Sequence, residues 1–149
     1  MMILIVVLSL AADLITKRLA TLYLQNTTFP VIKDVLHFTY VENTGAAFGM
    51  YKGGRLFFII TTVLILGAII FMLLKYKPQQ KLVKVSSALV MAGAVGNLID
   101  RIYNGFVVDF IDFRVINYPV FNIADCCVVV GTILFAVWVI FFENKNEKN

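Results

Sequence analysis

The chain has 149 residues, of which 60% are apolar and 15% are Asp, Glu, Lys or Arg, and its mean hydropathy is +0.88. Soluble domains run at about 45–50% apolar and about 25% charged, so a disordered chain is excluded and a water-soluble globule is disfavoured. The net charge is +4, from 13 basic and 9 acidic residues. No stripe of Lys and Arg interleaved with exposed aromatics marks a nucleic-acid surface, and juxtamembrane lysine accounts for the excess.

A bilayer span needs about 20 mostly apolar residues. Four segments meet that length in chain order: Met1–Leu24, Leu56–Leu74, Leu82–Tyr103 and Ile123–Phe142. The first is interrupted by Asp13, Lys17 and Arg18. It lacks the basic start of a secretory signal and runs on past Asp13, so it reads as a span. Between spans one and two, Val31–Phe48 is rich in β-branched and aromatic residues and reads as a short strand. Phe106–Ile116, FVVDFIDFRVI, reads the same way. In the third span Ala88, Ala92 and Gly96 recur every four residues, with Gly93 beside them, a spacing that lets helix backbones approach closely.

The fold expected is an integral membrane, mainly α protein. It has four transmembrane helices, a small extracytoplasmic β-sheet or cradle, and a single domain over residues 1–149. Lys75, Lys77, Lys81 and Lys84 fall in one short loop, which places that loop in the cytoplasm. Four spans then put both termini inside. The segments Gln25–Arg55 and Asn104–Asn122 face outward.

Charge is scarce, so five acids are informative: Asp13, Asp100, Asp109, Asp112 and Asp125. A carboxylate at bilayer depth costs roughly 2.5–3.5 kcal/mol or more, so each is expected to be paired or functional. Asp13 and Lys17 stand at i and i+4, a spacing that suits an ion pair. Asn97 lies three residues before Asp100, with Arg101 next. That cluster suits either an interfacial anchor or a grip on a peptide backbone. Asn122 suits the N-cap of the fourth span with Asp125 at N3, a capping-box pattern. A helix N-terminus stabilises an ionised carboxylate, so Asp125 is the easier acid to keep deprotonated. Asp109 and Asp112 are three apart on a strand and point to opposite faces, and spacing alone leaves open which faces the bundle.

The available chemistry is narrow. His37 is the one histidine and cannot build a zinc site with Cys126 and Cys127 at any standard spacing. Those cysteines are adjacent in an apolar run, with no disulfide framework and no local basic partner for a thiolate. A Ser–Lys dyad from Ser86 or Ser87 and Lys84 falls among anchoring lysines at the cytoplasmic end. Two aspartates sharing one proton are the best-supplied option, since like charges at short range push their pKa values apart.

Five pieces occur in order: D-x-x-T-K from Asp13 to Lys17, E-N-T-G-A-A-F-G from Glu42 to Gly49, G-N-L-I-D-R from Gly96 to Arg101, V-V-D-F from Val107 to Phe110, and F-N-I-A-D from Phe121 to Asp125. In these pieces the chain resembles the lipoprotein signal peptidases (signal peptidase II), bacterial membrane aspartyl peptidases that process prolipoproteins. The resemblance implies Asp109 and Asp125 as the catalytic pair. It implies supporting or substrate-binding roles for Asn43, Gly45, Asn97, Asp100, Arg101, Asn122, Asp13 and Lys17. It further implies a diacylglyceryl-modified prolipoprotein substrate, cut on the amino side of the lipidated cysteine. Asn97, Arg101 and Asn43 would hold the substrate backbone, and Gly45–Gly49 would clamp over it. No metal and no cofactor is expected. The expected partners are lipidated signal peptides, membrane lipids and cyclic-peptide inhibitors such as globomycin, met by a monomer. The location implied is the bacterial cytoplasmic membrane, with the site near the outer face. The rival reading is a non-enzymatic transport or assembly protein. That reading spreads acids through the membrane, whereas four of the nine lie between Asp100 and Asp125.

Overall fold

The computed structural model describes residues 1–45, 54–116 and 118–146. Its elements are α1 (Met2–Tyr23), β1 (Thr28–Ile32), β2 (Leu36–Asn43), α2 (Arg55–Tyr76), α3 (Lys81–Tyr103), β3 (Val107–Phe113) and α4 (Ile123–Asn146). Three helices, α2, α3 and α4, are long and apolar enough to cross a membrane. The 22-residue α1 matches them in length but carries Asp13, Lys17 and Arg18.

Local chemistry explains several boundaries. Lys77 ends α2 in the left-handed region at φ 42°, and Pro78 follows, unable to continue a helix. Gly105, at φ 85°, turns the chain from α3 into β3, a conformation that glycine adopts without strain. The amide of Asn122 and the carboxylate of Asp125 cap α4 reciprocally. Asp125 N–H donates to Asn122 Oδ1 at 2.9 Å, and Asn122 N–H donates to Asp125 Oδ2 at 3.2 Å. This is the capping box that the spacing predicts.

The first β-rich run departs from expectation. It forms two strands, not one, and begins at Thr28. The chain reverses at Lys33–Val35, where Asp34 adopts a positive φ of 59°. Aspartate tolerates that conformation because its short side chain bonds locally, but without a glycine beside it the turn is hard to see in sequence. Residues 46–48 of the run lie outside the described residues. The three strands form one antiparallel sheet in the order β1-β2-β3. Pro30 sits in β1, an edge strand, where its missing N–H is tolerated.

Helix α3 is the centre of the bundle, meeting α1, α2 and α4. Its small residues lie where expected. Ala88 and Ala92 are fully buried, and a methyl group added at Gly93 or Gly96 would strike the Ala124 backbone or the Asp13 carboxylate. Ala20 of α1 packs with Val108 and Phe110 of β3, which fastens the sheet to the helices. The sheet joins the C-terminal ends of α1 and α3 and the N-terminal end of α4, opposite the lysine-rich loop between α2 and α3.

Buried charges tie three helices at one level. Lys17 Nζ lies 2.9 Å from Asp13 Oδ2 and 3.1 Å from Asp100 Oδ2. Asp13 Oδ1 accepts the Ala124 N–H at 2.8 Å, close to the electropositive N-terminus of α4. Removing one partner of such a buried pair costs about 3–5 kcal/mol, because the other charge is stranded. The i, i+4 pair read from sequence therefore forms, and it does more than neutralise itself.

Candidate active site

Strand β3 delivers Asp109 and the first turn of α4 delivers Asp125. Asp109 is 1% exposed. Asp112, three residues on, is partly exposed and is held by Arg114 Nε at 2.9 Å and Thr39 Oγ1 at 3.0 Å. Both faces of β3 are buried from Val107 to Phe110, so Asp109 lies inside, whereas Asp112 falls toward the strand's exposed end in an ordinary surface cluster.

The connection between the two carboxylates is fixed by backbone pairing. Phe121 O accepts the N–H groups of Phe110 and Ile111 at 3.0 and 2.8 Å, and Phe121 N–H donates to Ile111 O at 3.1 Å. The residue before the α4 cap is therefore stitched to the strand that carries Asp109. Asn122, fully buried, then spans both acids. Its Nδ2 donates to Asp109 Oδ1 at 2.6 Å, while its Oδ1 and N–H bind Asp125 as described.

Two further amides address the acids. Asn43, the last residue of β2, donates from Nδ2 to Asp109 Oδ2 at 2.8 Å, and its Oδ1 accepts the Gly45 N–H at 3.0 Å. Asn97 of α3 donates from Nδ2 to Asp125 Oδ1 at 2.7 Å. Both were expected at the substrate backbone; here their N–H donors lie on the carboxylates. Arg101 lies one helical turn beyond Asn97. Its guanidinium reaches Gly45 O at 3.3 Å and Asn97 O at 3.4 Å, and stacks 4.9 Å over the Phe58 ring. Asp100 has other partners: it accepts the Val108 N–H at 3.1 Å and pairs with Lys17.

Burial pushes the Asp109 carboxyl up to about 7, and the nearby Asp125 charge adds to the rise, against the hydrogen bonds from Asn43 and Asn122. Two acids with unlike environments face one cleft of about 230 Å³. Asn43, Gly45, Asn97 and Arg101 line it with them. So do Tyr118, Pro119, Val120 and Val129, which sequence reasoning missed. Pro119 is a local punctuator in the connector, but nothing local says that the connector folds back over the acids. The Gly45–Gly49 clamp is described at Gly45 alone, and residues 46–49 lie outside the described residues.

The other candidates do not assemble. Ser86 Oγ donates to Val83 O of its own helix at 3.0 Å, and Lys84 Nζ donates to Gln79 at 3.2 Å. His37 is buried in the sheet, and no group of three metal-ligating side chains occurs among the described residues.

The chain matches the family model for signal peptidase (SPase) II over residues 5–141. It is 42% identical to a lipoprotein signal peptidase of Clostridium acetobutylicum, covering 99% of this chain and 98% of that one. It is 46% identical to the lipoprotein signal peptidase of Caldanaerobacter subterraneus subsp. tengcongensis, over 95% and 97%. A solved bacterial membrane enzyme superposes with a TM-score of 0.87 at 36% identity, over 99% of this chain and 91% of that one. With near-complete coverage in each comparison, the chain belongs to the signal peptidase II family, a family of membrane peptidases.

Proposed function

We propose that the chain is a membrane aspartyl endopeptidase that removes the signal peptide from diacylglyceryl-modified prolipoproteins, cutting on the amino side of the lipidated cysteine. The observation that carries this reading is the pair of carboxylates from β3 and α4, joined through Asn122 and opening into one cleft with Arg101. A water held between them is the nucleophile. Asp109, pushed up to about 7, still holds its proton in about half of the molecules at pH 7 and supplies the acid. Asp125 accepts two N–H donors, from Asn97 and Asn122, which suits an ionised carboxylate. Asp125 takes the water's proton as the water attacks the scissile carbonyl, and Asp109 donates its proton to that carbonyl oxygen. The roles exchange as the amine leaves. Arg101, at the cleft wall, holds the substrate backbone, while Asn97 and Asn43, which also line the cleft, hold the two acids in place. No metal enters the cycle.

In this reading α1 is a fourth span. Its buried Asp13 and Lys17 neutralise each other, which leaves Arg18 as its exposed charge. The lysine-rich loop and both termini face the cytoplasm. The sheet and the cleft face outward, where a lipidated precursor and cyclic-peptide inhibitors such as globomycin reach them. One domain acts as a monomer.

The test is cleavage of a lipidated precursor by purified full-length D109N and D125N. Each is expected to lose turnover by at least about 100-fold while remaining folded. Near-normal turnover in either overturns the pairing. Activity is expected to persist in excess chelator, and its loss there would overturn the metal-free cycle.

A further inference from the structure

Lys17 is a fully buried cation that the proposed reaction does not use, and charge balance alone does not explain its position. Its ammonium sits among three acceptors: Asp13 Oδ2 at 2.9 Å, Asp100 Oδ2 at 3.1 Å and Asn97 Oδ1 at 2.9 Å. The third contact links it to the site. A side-chain amide presents an acceptor at one end and a donor at the other, and rotation by half a turn exchanges them. Asn97 has Asp125 Oδ1 at one end, 2.7 Å away. At its other end stand Lys17, which can only donate, and the Asn122 Nδ2, also a donor, at 3.2 Å. With Lys17 in place only one orientation of Asn97 is satisfied, with its carbonyl toward the ammonium and its N–H2 toward Asp125. The reverse orientation sets donor against donor at one end and a carbonyl oxygen against a carboxylate at the other.

We infer that Lys17 is a positioning residue for the reaction: from α1 it locks the Asn97 amide so that Asp125 always meets a hydrogen-bond donor, which holds that carboxylate in the orientation that takes the water's proton. The charge pair with Asp13 anchors the ammonium, since Asp13 is itself held by the Ala124 N–H of the helix that bears Asp125. Lys17 and Asp125 thus share two routes, one through Asn97 and one through the α4 N-terminus. Only the first addresses the Asp125 side chain directly.

The inference rests on Asp125 being catalytic, and its test separates the two. K17R keeps the charge that balances Asp13 and Asp100, but a flat guanidinium cannot offer one point donor to three acceptors. Turnover of a lipidated precursor by K17R is expected to fall by about tenfold or more, because small misplacements near a reacting group are costly. KM is expected to stay within about twofold, as for an interaction made in the transition state. In an N97A background the same substitution is expected to have no further effect on kcat. An additive loss, or K17R turnover equal to the parent, overturns the inference. N97D supplies a second arm that does not depend on how K17R folds. It keeps an acceptor for Lys17 but turns an oxygen toward Asp125, and a loss in kcat of about 100-fold is expected. Turnover within about threefold of the parent would overturn the inference. If D125N retains turnover, the two-aspartate reading fails. If D125N is inactive while K17R and N97D are unimpaired, this inference alone fails.

Discussion

Asp109 and Asp112 stand on the same strand, yet only Asp109 is buried, and burial sets its chemistry. A carboxyl pushed up to about 7 is protonated over the acidic range and about half ionised at pH 7. If Asp109 serves as the acid, kcat/KM falls as pH rises above about 7, with a log slope approaching about −1, and a pH profile on a lipidated peptide reads it directly. The same group affects stability. Between the unfolded carboxylate range, near about 4, and the folded value the native chain binds more protons than the unfolded one. Stability contributed by the neutral carboxyl is therefore full at low pH and lost as pH rises through about 7. Thermal scans of D109N are expected to lack that decline. In sequence, Asp109 and Asp112 were equal by spacing, and the resemblance separated them. The structure supplies a physical difference: Asp109 lies in the stretch of β3 buried on both faces and is enclosed by Asn43 and Asn122, while Asp112 lies past that stretch and meets Arg114.

At the scale of elements, α3 and α4 meet through small residues, and this was legible because a four-residue repeat is a local pattern. What was not legible is what the gaps admit. Gly96 leaves room for the Asp13 carboxylate, and Gly93 for the Ala124 carbonyl. Replacing Gly93 by Leu overpacks that seam and is expected to destabilise the protein by about 1–3 kcal/mol or more. Thermal unfolding in detergent would register it as a lowered midpoint. The β-hairpin shows the opposite case. Composition announced extended chain, but the strand count depended on a turn at Asp34 that carries no glycine. The α4 cap was legible to the residue, because Asn122 and Asp125 satisfy each other within one turn.

Over the whole molecule, the sheet and the acids gather at the end of the bundle opposite the lysine loop. The proposed orientation can be checked in intact cells with single cysteines in a background lacking Cys126 and Cys127. A cysteine at Gln79 is expected to resist a membrane-impermeant maleimide, and one at Asn104 to react. The reverse pattern inverts the topology. Composition and periodicity by themselves determined that the chain is a membrane protein, where its long apolar helices lie, and that few acids remain to do chemistry. Each of these is a property of neighbours along the chain. The tertiary structure alone decided that Asn122 joins both carboxylates, that Tyr118 and Val129 wall the cleft, and that Lys17 reaches Asn97 across 80 residues while Asp13 reaches Ala124 across 111. Such contacts depend on how helices pack at their small residues and how β3 is stitched to Phe121, and no local pattern encodes a distance between elements that far apart in the chain.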